Sequence, residues 1–109
     1  MTKVIVTTGE EIPGKNVAEI LGVVRGSTVR ARNIGRDILA GLKNVIGGEI
    51  EEYTKLMAES RDQALDRMRK SAGDLGANAV IGVRFSTSYI MGSAAEILAY
   101  GTAVVYEDE

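Results

Sequence analysis

The stretch AGDLGANAVIGVRFSTSYI (72–90) holds the change of period on which the fold turns. Upstream of it, apolar residues recur every three to four positions. From Ala79 onward they alternate, with Ala79, Ile81, Val83, Phe85, Thr87 and Tyr89 on one face. Gly76 sits at the join, where a left-handed helix cap is least strained as glycine. The spacing predicts a helix ending at Gly76 and a strand over 79–90. The glycines of LGANAVIG do not make a nucleotide loop. They leave a helix and enter a strand, whereas a phosphate loop leaves a strand and opens a helix.

Working back from Gly76, Ile50, Tyr53, Met57, Ala64, Met68, Ala72 and Leu75 line one side of a long helix, interrupted by Ser60. Its outer side is charged, and Glu51/Lys55 and Asp66/Lys70 are spaced as i,i+4 pairs in the favourable order. Before it, Ile34, Ile38, Leu39, Leu42, Val45 and Ile46 predict another helix, with Asn33 as N-cap and Gly47 as its stop. Residues 18–31 read as a strand with Ile20, Gly22, Val24, Gly26 and Thr28 on one face. Gly26 marks a bulge or a close backbone approach. Residues 3–8 read as a short strand, joined to it through Pro13-Gly14 at the centre of a type II turn. Downstream, MGSA (91–94) is a loop and AEILAYGTAVVY (95–106) the last strand.

The order is ββααββ in one domain spanning 1–109. That is an α+β protein whose four-stranded antiparallel or mixed sheet carries its helices on one face. The last strand has apolar or small residues on both faces: Ile97, Ala99, Ala103 and Val105 against Leu98, Tyr100, Val104 and Tyr106. Helices cover one side only, so another copy of the chain is expected on the other.

Residue content narrows the chemistry. The 109 residues include no cysteine and no histidine, which excludes thiolate catalysis and removes the commonest base and metal ligand. No apolar run approaches the ~20 residues of a membrane span, and the N-terminus lacks a signal-like core, so a cytoplasmic location is expected and a membrane partner is not. The net charge of -2 conceals a split. Residues 14–44 hold six basic against two acidic side chains, and residues 45–109 six basic against eleven acidic. Such a split steers copies of one chain together, and the acidic total disfavours nucleic acid as a partner.

Three groups are candidates for a site. Glu49, Glu51, Glu52 and Tyr53 gather where the long helix begins. Acids there complement the helix dipole, so a structural role is preferred, with Glu49 retained because it lies in the junction. Arg25, Arg30, Arg32 and Arg36 supply paired N–H donors for phosphate or carboxylate, or contacts between copies, which is the preferred role. Arg61 and Asp62 read as packing residues, and Arg84 and Glu96 as a cross-hairpin pair. Glu49, Arg25, Arg30, Arg32, Arg36 and Tyr53 remain as the ligand-binding set. No residue is singled out as catalytic, and no cofactor is indicated.

Several stretches resemble the YbjQ family, often labelled heavy-metal-binding: GGEIEEYTKL (47–56), SRDQAL (60–65), LGANAVIGVR (75–84) and YGTAV (100–104). The resemblance implies an α/β protomer that assembles into rings, with homopentamers as the unit, and it allows two rings to stack into a decamer. A small ligand or ion would then sit in subunit clefts or the pore. The metal label fits these residues poorly. Soft ions prefer sulfur or imidazole, and only Met1, Met57, Met68 and Met91 offer a soft donor. The rival readings are metal binding as labelled, or an enzyme using Glu49, an arginine and a tyrosine.

Overall fold

The computed structural model describes residues 3–30, 51–90 and 94–109. The helix expected over 34–46 and its caps lie outside them. The described elements are β1 (Ile5–Val6), β2 (Lys15–Arg30), α1 (Glu51–Asp74), β3 (Ala79–Ile90) and β4 (Ala94–Asp108). They form an α+β unit with a four-stranded sheet in the order β1-β3-β4-β2. β1 runs parallel to β3, and the other pairs are antiparallel. None of the described helices is long and apolar enough to cross a membrane.

The junction at Gly76 forms as its spacing requires. Gly76 has φ +90°, its N–H donates to the Gly73 carbonyl at 3.0 Å, and the Ala77 N–H donates to Ala72 at 3.0 Å. This pair of bonds satisfies two of the helix's last carbonyls. Asn78 then starts the strand by standing in for a backbone unit. Its side-chain amide donates to the Tyr106 carbonyl at 2.8 Å and accepts from the Tyr106 N–H at 2.7 Å. The Pro13-Gly14 turn also forms, with Gly14 at φ +78° and the Lys15 N–H donating to Ile12 at 3.1 Å.

α1 is seated by a narrow strip of small residues. Ser60, Ala64, Met68 and Ala72, four apart, are wholly buried. Met68 alone contributes about 1.5–3 kcal/mol by burial. The small side chains let the helix backbone settle onto β2 at Gly26, where an added Cβ would fall inside the backbone of Ala64 and Met68. Thr28 Oγ1 donates to the Ser60 carbonyl at 3.1 Å, and Arg67 donates to the Ser27 carbonyl. Val24, Val80, Val83, Ile97, Ala99 and Ala103 complete this core. Leu75, expected on the buried stripe, is 53% exposed because the chain has already left the helix.

Bulges overturn the alternation expected in β2 and β3. Val17 faces Tyr106 and Glu19 faces Val105, so Ala18 is extra. Ile20 faces Val104 and Gly22 faces Ala103, so Leu21 is extra. Each extra residue flips the pleat. Ile20 therefore points away from the helix face that holds Val24, contrary to the simple alternation. Val17, Ile20 and Val23, three apart, all come to the helix-free face. The bulge falls at Gly22 (φ +119°), and Gly26 is the close approach. In β3 a further shift between Ile81 and Arg84, with Gly82 at φ +61°, sends Val83 to the helix side and leaves Ile81 opposite.

The helix-free face is covered at one end by the chain itself. Ile12 and Ile81 pack with Ala79, Val104 and Tyr106 in a second small cluster. Gly82 N–H donates to Gly9 at 2.9 Å and Val83 N–H to Thr7 at 3.1 Å, which ties this segment to β3. β1 itself is two residues, shorter than the strand expected over 3–8.

The surface ion pairs differ in detail from the sequence spacing. Asp66 pairs with Arg69 at 3.1 Å instead of Lys70, and Lys70 pairs with Asp74 at 3.5 Å. Lys15 meets Asp108 across β2 and β4 at 2.9 Å, and this hydrogen bond and charge hold the Asp108 carboxyl below the ordinary aspartate value. A lowered folded pKa means the pairing contributes above the unfolded pKa and is lost as pH falls through the folded one. In an NMR titration we expect the Asp108 midpoint below that of an unpaired aspartate, and Lys15→Gln to raise it. Equal midpoints in the two proteins would refute the pairing.

Candidate functional site

With one end covered, the rest of the helix-free face is an open platform three strands wide. The register fixes its rows. Val23 faces Thr102, and Arg25 faces Tyr100, which faces Arg84 on its other side. Ser27 and Ser86 flank Leu98 in the next row, and Val29 and Ser88 flank Glu96 beyond it. Directly paired residues share a face, so Arg25, Tyr100 and Arg84 lie side by side across β2, β4 and β3.

The two arginines are held differently. Arg25 is exposed and has no hydrogen bond or ion pair among the described residues. Arg84 donates through one guanidinium nitrogen to the Thr8 carbonyl at 2.9 Å and the Val83 carbonyl at 2.8 Å. No carboxylate accompanies either among the described residues, although Lys15, Arg69 and Lys70 each have one. The expected pairing of Arg84 with Glu96 is not made. The hairpin is symmetric, with Ile90 facing Ala94, so counting outward from the turn pairs Ser88 with Glu96 and Arg84 with Tyr100.

Of the six ligand-binding candidates, Arg25 alone reaches this platform with a described side chain. Arg30 ends β2 opposite Ala95, and Tyr53 lies in the first turn of α1. The side chains of both, together with all of Arg32, Arg36 and Glu49, lie outside the described residues. Arg61 and Asp62 are exposed on the outer side of α1. Arg84 and Tyr100 were not among the candidates. Hairpin symmetry was the local signal that joins them, whereas Arg25 joins through a long-range register.

A groove of about 750 Å³ lies at the covered end, lined by Glu10, Glu11, Lys15, Tyr106 and Glu109 among others. The described residues contain no group of three acidic side chains placed to hold a metal ion. The soft donors fit no better. Met68 is wholly buried in the core, and Met57 packs partly buried against it. With neither cysteine nor histidine in the chain, the donor set does not suit a heavy metal. Equilibration with excess Zn²⁺ or Cd²⁺ followed by desalting is expected to leave no stoichiometric metal and an unshifted melting temperature. One retained ion per chain would contradict this.

A family model described as "Putative heavy-metal-binding" matches residues 4–107. The chain is 62% identical over 100 residues to a UPF0145 protein of Methanoculleus marisnigri, covering 92% of this chain and 94% of that one. It is 62% identical over 102 residues to a UPF0145 protein of Archaeoglobus fulgidus, covering 94% of each. A crystal structure of a Pediococcus pentosaceus protein of unknown function, assigned to the DUF74 family, superposes with a TM-score of 0.62. That likeness covers 95% of this chain and 98% of the other at 18% identity, and it concerns the fold alone. By the extent of the family match and the identity of its relatives, the chain belongs to the YbjQ family of UPF0145 proteins.

Proposed function

We propose that the protein is a self-assembling binding protein, whose copies join into a ring and hold a small ligand or ion in the clefts between them or in the pore. The observation that carries this is β2. It is an edge strand of 16 residues whose helix-free face presents Val17, Ile20, Val23 and Val29 to solvent, Ile20 and Val23 at 69% and 77% exposure. A long apolar edge of this kind is ordinarily covered or charged in a protein that stays monomeric. Arg67 covers one carbonyl of this strand, at Ser27, and leaves the valines and isoleucine open.

The charge split along the sequence favours a head-to-tail contact between copies, which closes into a ring where the rotation permits. Five copies, and two stacked rings, follow the family resemblance. Sedimentation at micromolar concentration tests the reading: a multimer is expected, and a single chain at all concentrations would overturn it.

A further inference from the structure

We infer that copies join edge to edge, the outer edge of β2 in one copy pairing in parallel with the outer edge of β3 in the next. This rests on the assembly reading above and names the surface that meets β2.

The backbone marks both edges. In an antiparallel ladder alternate residues turn their N–H and C=O toward the partner strand, and the rest turn them away. Ile5 N–H donates to Asn78 and Thr7 N–H to Val80, so Ala79 and Ile81 turn the other way, to β4. They meet Val104 and Thr102, and the same alternation along β4 turns Tyr100 and Leu98 to Arg84 and Ser86. Phe85 and Thr87 therefore send their N–H and C=O to the outer edge of β3. Ala99 and Ile97 turn to Gly26 and Thr28, which leaves Val23, Arg25, Ser27 and Val29 at the outer edge of β2. The bond from Arg67 to the Ser27 carbonyl reaches that edge. Among the described residues no strand lies beside either row. β1 pairs with β3 only at Ala79 and Val80, and β2 ends the sheet.

The two edges fit each other in direction and in phase. β2 and β3 both run antiparallel to β4, so they run the same way. The outward groups of β2 belong to residues on the helix-free face. Those of β3 belong to Phe85 and Thr87, on the helix face beside Ala99 and Ile97. A parallel ladder sets a residue turned into it opposite one turned away, as Ile5 and Ala79 are here. Ser27 then lies opposite Arg84, Ser86 or Ser88, all on the same face, and the helices of both copies stay on one side of the joined sheet. A second β2 paired antiparallel with the first leaves the β3 edge of each copy bare. Pairing β2 with β3 uses one edge of each kind per copy, so a closed ring leaves none open.

The test exploits a chain without cysteine. Ser27→Cys is co-expressed in turn with Arg84→Cys, Ser86→Cys and Ser88→Cys chains, and the products are oxidised and separated without reductant. Within one copy Ser27 stands two strands from these positions, at least about 10 Å, too far for a disulfide. Across the joined edges the separation falls to about 4.8 Å, which a disulfide spans. One of the three pairs is expected to give covalent heterodimers at least tenfold above either chain alone. The matching double variant should give a ladder of covalent multimers. Thr87→Pro, which removes an outward N–H, is expected to keep the circular dichroism spectrum and lose assembly. A Thr87→Pro chain that assembles like wild type overturns the edge pairing. Abundant Ser27→Cys homodimers also overturn it, since β2 would then pair with itself. An assembled wild type in which none of the three pairs cross-links overturns it and leaves the assembly reading standing. A wild type that stays a single chain overturns both.

Discussion

Gly26→Ala is expected to lower the melting temperature by about 10–20 °C. The added Cβ falls within the backbone of Ala64 and Met68 and 2.8 Å from Arg67 Cβ. Backbone meets backbone here, so no flexible side chain can swing aside. Overpacking ordinarily costs about 1–3 kcal/mol, and a site with backbone on both sides belongs at the upper end. For a domain of this size each kcal/mol shifts the midpoint by about 4–8 °C. The helix cannot slide away cheaply, because Thr28 bonds the Ser60 carbonyl and Arg67 bonds the Ser27 carbonyl on either side of the contact. Gly14→Ala is the comparison: its φ of +78° adds strain of about 1–2 kcal/mol, but the Cβ meets open space. Thermal melts followed by circular dichroism separate the two. A Gly26→Ala midpoint within about 3 °C of wild type would mean that α1 does not rest on β2.

Ile20→Glu with Val23→Glu is expected to convert the assembly into single chains without unfolding them. Both side chains face solvent in the protomer, so their replacement leaves the core untouched. In the proposed assembly each would be covered, and losing that burial would remove about 1.5–3 kcal/mol per side chain at every contact. Two together weaken each contact by about 10²–10⁴-fold, before the cost of burying carboxylates is added. The double variant should keep its circular dichroism spectrum and sediment as one chain. If it assembles like wild type, the contact surface lies elsewhere.

The same two residues show how far the fold was legible. The end of α1 at Gly76, the Pro13-Gly14 turn and the span of β3 all follow from local chemistry, and the structure places them where that chemistry predicts. The faces of β2 were not legible. Alternation groups Ile20 with Val24, and the bulge at Leu21 separates them, while the one at Ala18 brings Val17 onto the same face as Ile20. A bulge is a backbone accommodation, and its trace in sequence is slight: a glycine at Gly22 and another at Gly82, each at positive φ. The second cluster was hidden for a related reason. Ile12 reaches the far face of the sheet only through a turn whose path the sequence does not specify.

The site was legible in part. Arg25 is marked in the sequence by its chemistry, while its neighbours emerge only from register. Arg84 and Tyr100 are equidistant from the hairpin turn, which a count along the chain reveals. Nothing local ties them to Arg25 on a strand that precedes α1. Glu49, Arg32 and Arg36 lie outside the described residues, and with Glu49 the enzyme reading that depends on it.

The mass of the native particle bears most directly on assembly. Native mass spectrometry of wild type beside the Ile20→Glu/Val23→Glu variant should give, for wild type, five chains of 11.6 kDa, about 58 kDa, or twice that for stacked rings. The variant should appear at 11.6 kDa. A wild-type particle of 11.6 kDa across the micromolar range would contradict the account.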